Sequence, residues 1–291
     1  MTSTAHSSDD VAALVDRYGL QRAGARLPLN TYTRQLWARR HFITEFSTAS
    51  NAVGFSRSFL GQAWQLLTPL LNVAVYYLIF GVLLHTKRGV DNFIAFLTIG
   101  LFVFSFTSGS LTAGARAISS NLGLTRSLHF PRAVLPVSTT LTALQQLVSS
   151  MVIMIPVVLL TGEPLSLRWF LLIPAVGLQA AFSLGLAFLF ARLGARVPDT
   201  SQMLPFITRV WMYTSGVMYS ITEFTKGRPH WVKTVLEVNP GAVYVNVARN
   251  ALLTNNPVHP YTWPLAIGWA VVVLGAGYLI FWQGEEEYGR V

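Results

Sequence analysis

The sequence predicts an all-α integral membrane protein with six transmembrane helices. An interfacial amphipathic helix precedes the spans, a short cytoplasmic helix follows the second, and short external re-entrant helices precede the last. Three observations carry this expectation. Apolar runs lie at about 59–84, 93–113, 134–160, 169–191, 203–222 and 263–283. Each is about the 20 residues needed to cross a hydrocarbon core of about 30 Å. Five contain no Asp, Glu, Lys or Arg, and the fifth in order contains only Arg209. Hydrophobic residues make up 52% of the chain and charged residues 11%, where soluble domains average about 25% charged. A soluble apolar core explains any one run but not six in succession. In lipid each segment must satisfy its own backbone, so the runs are helices. They lack the alternation of a transmembrane β-barrel.

Charge sets the orientation. The formal net charge is +9, and Arg17, Arg22, Arg26, Arg34, Arg39, Arg40 and Arg57 all precede the first span. Basic residues favour the cytoplasmic side, which places the N-terminus, and after six crossings the C-terminus, in the cytoplasm. The loop with Arg116, Arg126 and Arg132 and the loop with Arg192 and Arg196 then fall inside as well. The expectation is a multi-pass protein of the cytoplasmic (plasma) membrane. The basic residues flank spans and form no soluble basic domain, so no nucleic-acid partner is implied. There is no cysteine, which excludes disulfides and thiol chemistry.

The elements follow in order. Residues 1–30 read as a flexible cytoplasmic tail without an apolar signal-peptide core. Residues 31–58 hold the interfacial helix and a linker; Leu36, Trp37, Ile43 and Phe46 lie near one face, with Arg39 and Arg40 elsewhere. The alternative is a soluble helix packed on a partner protein. The six-span domain covers 59–283. Pro69 kinks span one or marks a late start, and Pro156 and Pro174 are candidate kinks in spans three and four. Residues 115–132 are too polar to span and read as a short cytoplasmic helix closed by Phe130-Pro131. The 223–262 segment carries two amphipathic stretches separated by Asn239-Pro240, read as short helices dipping into the outer leaflet or packed on the spans. Residues 284–291 are an acidic cytoplasmic tail.

The chain lacks the machinery of most enzymes. It has no G-x-x-x-x-G-K-[ST] motif, nor any Gly-Lys pair to hold ATP phosphates. Its clustered carboxylates are confined to Glu285–Glu287 and Asp9-Asp10, so the carboxylate pairs of a membrane glycosyltransferase are missing. No span carries an Asp or Glu to serve as a proton relay. Arg209, the intramembrane charge, either snorkels to the cytoplasmic interface or faces a polar pathway or an anionic head group.

Several motifs resemble one family. Phe55 to Trp64 (FSRSFLGQAW), then Leu67-Thr68-Pro69-Leu70-Leu71 and Val75-Tyr76-Tyr77-Leu78-Ile79-Phe80-Gly81, look like the first span of ABC-2 type permeases. Asn121-Leu122-Gly123-Leu124 through Phe130-Pro131-Arg132-Ala133-Val134-Leu135-Pro136 is similar to that family's N-x-x-L-I…F-P-R-x-I-L-P segment. Leu204-Pro205-Phe206 with Trp211 to Tyr219 is similar to its fifth span, and Asn239-Pro240 with Arg249-Asn250-Ala251-Leu252-Leu253 to its external element. The similarity is greatest to the branch exporting polysaccharides, O-antigens and teichoic acids, and the overall style resembles actinobacterial exporters of lipid-linked galactan. Ala195-Arg196-Val197-Pro198-Asp199 departs from the family's usual F-R-D.

The resemblance implies a type V exporter-like permease that is not itself an enzyme and has no cofactor of its own. A separate nucleotide-binding ATPase subunit would bind ATP and Mg, and a second copy of this chain would complete the pathway for a lipid-linked glycan within the membrane lipids. The 115–132 segment becomes the coupling helix, with Arg116, Asn121, Arg126, Phe130, Pro131 and Arg132 facing the ATPase. Sugar rings offer C–H faces to aromatic side chains, which selects Tyr76, Phe104, Trp211 and Tyr213 as pathway-lining. Trp231, Asn239, Pro240 and Arg249 would form the external gate. Two alternatives remain: an ABC-2 permease for a drug or small lipid, and a membrane-embedded glycosyltransferase or scaffold.

Overall fold

A computed structural model describes residues 26–55, 63–84, 89–127, 130–256 and 259–288. The N-terminal tail up to residue 25, most of the FSRSFLGQAW motif and the side chain of Arg126 lie outside the described residues. Among the described residues all regular structure is helical.

Among the described residues, four helices are long and apolar enough to cross a membrane: α4 (Phe93–Arg116), α6 (Val134–Leu160), α7 (Leu172–Arg196, led in by a 3-10 turn at Leu167–Leu171) and α12 (Thr262–Gln283). α4 is the axis of the bundle. It is apolar all round, and 78% of its spanning stretch is buried, against 28%, 33% and 22% for the others. An all-round apolar helix belongs in a protein interior. Asn92 caps its start by accepting a 3.2 Å hydrogen bond from the Ala95 N–H.

The α4–α7–α12 contacts depend on small residues. A methyl group on Gly114 would overlap Ala187, and one on Gly277 would overlap the Gly185 carbonyl. Without a hydrophobic drive between helices in lipid, close backbone approach supplies dispersion energy. Buried polar groups add directionality: the Gln179 amide donates to the Val103 carbonyl at 2.6 Å and to Thr107 at 2.9 Å.

Two expected spans differ from full-length helices. The first comprises α3 (Ala63–Tyr76), which runs through Pro69 and continues as a π-helical segment, Tyr77–Leu83. The fifth, expected over 203–222, is corrected to α8 (Thr200–Thr214). Ser215 follows with its hydroxyl bonded to the Trp211 carbonyl, and Gly216 takes φ +61°, the left-handed conformation that ends helices. Val217 and Met218 are apolar because they enter the protein core, not because they meet lipid. Pro174 is likewise corrected: it lies in the first turn of α7, where a missing N–H costs little, and not at a mid-span kink.

The N-terminal segment forms α1 (Leu29–Ala38) and α2 (Arg40–Phe55), broken at Arg39. Trp37 is 73% exposed while Ile43 is buried, so these two do not share a face; Trp37 sits about 100° round the helix from Leu36. α2 runs beside the first turns of α6 along a polar seam. Ser47 donates to the Ser138 carbonyl at 3.1 Å, Gln145 to Thr48 at 3.2 Å and Gln146 to Asn51 at 3.2 Å.

The remaining elements sort to two ends. A 3-10 turn at Ser119–Asn121 and α5 (Leu122–Ser127) join α1 and the 284–288 segment at one end, called here the terminal end. At the opposite, distal end lie α9 (Ile221–Phe224), α10 (His230–Val238) and α11 (Pro240–Leu252). Asn239 separates α10 from α11, and Pro240 occupies the first position of α11, where its fixed φ suits a helix start.

Candidate translocation pathway and coupling surface

α3 and α8 place three of the sequence-selected residues together. Tyr76 interacts with Tyr213 through their hydroxyls and lies within electrostatic reach of Arg209. Arg209 and Tyr213 are exposed on the outside of the bundle, and Tyr76 is half-buried. Asn72 and Gln202 are exposed on the same two helices. A cation and several hydrogen-bonding groups thus stand among exposed apolar side chains, Phe206 and Val75 among them, on an outward face of helices that run between the two ends. Such a face is not suited to hydrocarbon, where an unpaired charge is costly.

Trp211 lies behind this face. Its ring meets Phe104 edge-on with centroids 5.4 Å apart, and its indole N–H donates a 2.7 Å hydrogen bond to Asn239 Oδ1. Phe104 is buried at 3% exposure. It supports Trp211 from within the core and does not itself line an open face, because α4 turns it toward α8.

Asn239 ties α8 to the distal helices. It also donates to the Thr214 carbonyl at 3.2 Å and caps α11 by accepting from the Gly241 N–H at 3.1 Å. Arg249 makes the second tie. It is 1% exposed, and its guanidinium donates to the carbonyls of Phe96, Gly216 and Val217 at 3.0, 2.9 and 2.7 Å. It also lies 3.2 Å from the Phe96 ring centroid. The planar five-donor fork suits this geometry, which a lysine would not reproduce. Trp231 takes no part: it is 66% exposed on α10.

At the terminal end, the 115–132 residues divide by contact. Arg116 is exposed and donates to the Ser201 carbonyl at 3.2 Å, linking the end of α4 to the start of α8. Asn121 bonds the Ala117 carbonyl at 2.8 Å and closes the turn. The Phe130 ring faces Phe42 of α2 at 6.1 Å. Pro131 is buried. Arg132 donates through its backbone N–H to Glu285 Oε1 at 2.9 Å and through its guanidinium to the Glu285 carbonyl.

Glu285, read from sequence as part of an acidic tail, is buried at 8% exposure. Burial pushes its carboxyl above the usual carboxylate range, opposed by the Arg132 N–H and the Tyr32 hydroxyl. Glu287 remains exposed, and its hydrogen bonds to Arg196 hold it low. No local pattern identifies Glu285, because its partners lie in α1 and before α6.

Distally, Glu163 and Glu237 organise the loops. Glu163 accepts from Asn92 at 3.2 Å and from the Thr254 N–H at 2.9 Å. Glu237 accepts from the Tyr261 hydroxyl at 2.7 Å and pairs with His259 and Lys233. Burial, with the Glu237 hydrogen bond second, pushes the Tyr261 hydroxyl up to about 12.

The chain is similar to known proteins over most of its length. The family described as ABC-2 type transporter matches residues 47–253, from the middle of α2 to the end of α11. The chain is 28% identical over 259 residues to the O-antigen export system permease protein RfbA of Myxococcus xanthus, covering 88% of this chain and 97% of that one. A protein of the same description from Klebsiella pneumoniae is 24% identical over 183 residues, covering 62% and 70%. The matched region contains α3 to α8 and the three distal helices, and the chain belongs to the ABC-2 type transporter family.

Proposed function

We propose that the chain is the permease subunit of an ATP-driven exporter that moves a lipid-linked polysaccharide across the cytoplasmic membrane. The observation that carries this is the cluster of exposed Arg209 and Tyr213 with half-buried Tyr76 on the outward face of α3 and α8. Apposing that face in a second copy removes it from lipid and creates a wetted, aromatic-lined path. Hydroxyl-rich sugar rings fit such a path; an apolar amphiphile has no use for its charge. Relatives named as O-antigen export permeases support the polysaccharide class, and the galactan type is one candidate within it.

The terminal end faces the cytoplasm in this reading, as its Arg116, Arg132, Arg192 and Arg196 favour. A separate nucleotide-binding subunit docks there, binds ATP and Mg, and presses on α5 and the turn at Phe130-Pro131. The push reaches α2 through Phe42, and α1 through Glu285 and Tyr32. α10 and α11 close the outer end. A polymer longer than the membrane passes in short advances.

The test is a reconstituted complex of this chain with its ATPase in vesicles loaded with candidate lipid-linked glycans. ATP-dependent movement of a glycan is expected, and Arg126→Glu with Phe130→Ala should abolish transport-coupled ATP hydrolysis. Movement only of small amphiphiles would replace the glycan reading.

A further inference from the structure

The distal end holds a cavity set apart from the α3–α8 face. It has a volume of about 170 Å³ and opens between the start of α4, the turn after α8 and residues 253–256 and 259–262. Arg249 and Phe96 contribute to its lining, and the Arg249 guanidinium is already occupied by three carbonyls. The walls carry Asp91, Tyr219, Glu237, Asn246, Asn256 and Tyr261.

These side chains divide into occupied and free. Asp91 accepts from Asn255 at 3.0 Å, and Glu237 holds the Tyr261 hydroxyl. Among the described residues, the Asn246 and Asn256 amides and the Tyr219 hydroxyl have no hydrogen-bond partner. Both amides and the tyrosine are half-buried. An amide presents two donors and an acceptor with two lone pairs, and those of Asn246 and Asn256 are left open to a ligand in the cavity. The lining suits a ligand rich in both donors and acceptors.

Charge and shape narrow its class. Carboxylates in the wall oppose an anion. Among the described residues, no grouping of His, Asp and Glu is arranged to hold a metal ion. A neutral sugar ring fits: its hydroxyls both donate and accept, and its C–H face packs on an aromatic ring. Tyr219 offers such a ring, packed at 4.9 Å against Phe224, and His259 stacks on Tyr261 with centroids 5.0 Å apart at 6°.

We propose that this cavity binds one neutral sugar residue on the outer side of the membrane. The proposal rests on the glycan-export reading and adds a holding point to it. Gly216 and Tyr219, in the turn that directly follows α8, both line the cavity. A sugar leaving the α8 face meets it next. Capture there opposes back-slippage between advances.

The full chain with its ATPase partner, in lipid nanodiscs, tests this by saturation-transfer NMR with methyl glycosides of galactose, mannose and glucose. At least one glycoside should receive saturation, and Asn246→Ala with Asn256→Ala should reduce it at least tenfold. Tyr219→Phe, which removes a hydroxyl and almost no volume, should weaken it severalfold, and unchanged thermal midpoints exclude unfolding as the cause. Absence of transfer from every glycoside overturns the proposal, as does equal transfer in all variants or calcium binding in place of sugar. A vesicle export assay runs beside it. Export of a glycan with no glycoside binding removes the cavity site and leaves the export reading standing. Glycoside binding lost in the variants, with no glycan export, supports the cavity site and removes the export reading.

Discussion

Tyr32 donates a 2.7 Å hydrogen bond to Glu285, and the same hydroxyl accepts the Ala133 N–H at 3.1 Å. One phenol thereby joins the first helix, the start of α6 and the C-terminal segment. Arg26 reinforces the junction with its guanidinium 4.3 Å from the Trp282 ring centroid. Any force applied near Phe130–Arg132 is delivered to a clamped junction and not to loose tails.

Removing the Tyr32 hydroxyl should therefore loosen this end. Tyr32→Phe leaves a buried carboxylate oxygen and a backbone N–H without their partner, a cost of about 1–3 kcal/mol. A lower unfolding temperature and faster proteolysis within α1 are the expected readouts.

The same carboxylate makes stability depend on pH. Its folded pKa is raised by burial, so the folded state binds the proton more tightly than the unfolded chain. The protein should gain stability as pH falls from neutral through the raised folded value toward the ordinary carboxylate value, and lose it on the return. Glu285→Gln should flatten that part of the pH profile while the wild type retains its slope.

Arg249 predicts a different loss. Arg249→Ala abandons three buried carbonyls and empties the space over Phe96. Destabilisation of about 3 kcal/mol or more is expected, with new protease sites between 216 and 253. Arg249→Lys should rescue little, since one ammonium cannot copy the fork.

Arg209 should behave in the opposite way. It is exposed, so Arg209→Ala should alter stability by no more than about 0.5 kcal/mol while glycan export in vesicles falls at least tenfold. Because the chain has no cysteine, Tyr213→Cys supplies a single thiol. Oxidation should trap a covalent dimer, and a strictly monomeric product would refute the apposed α3–α8 face.

Close packing gives the last prediction. Gly277→Val would drive a side chain into the Gly185 backbone, costing about 1–3 kcal/mol in strain. Reduced yield of folded protein from membranes is the expected measure. Gly268→Val, with open space around it, serves as the matched control.

Much of this was legible in the chain because lipid enforces simple rules. The runs leading to α4, α6, α7 and α12 announce themselves by length and composition. Asn239-Pro240 marks a helix break by local chemistry, and Arg209 stands out by rarity. The end of α8 was hidden, since Val217 and Met218 are as apolar in a protein core as in lipid. Composition reports distaste for water and not the identity of the neighbour. The role of Glu285 was hidden for another reason: its partner Tyr32 lies 253 residues away, and nothing local encodes such a pairing. Phe104 and Trp211 read alike as aromatics, and only packing separates the one in the core from the one behind the pathway face.

The early stop of α8 has a consequence for energetics. Its 15 residues reach about 22 Å, against a hydrocarbon thickness of about 30 Å. Beyond Thr214 the chain turns into the protein, where Ser215 is buried and Asn239 ties it to the distal helices. The missing length, roughly one quarter of the hydrocarbon thickness, is made up by protein and not by a lipid-facing helix. On the export reading, a sugar travelling along α8 would pass to the polar side chains of the distal segment before it had crossed the full hydrocarbon thickness.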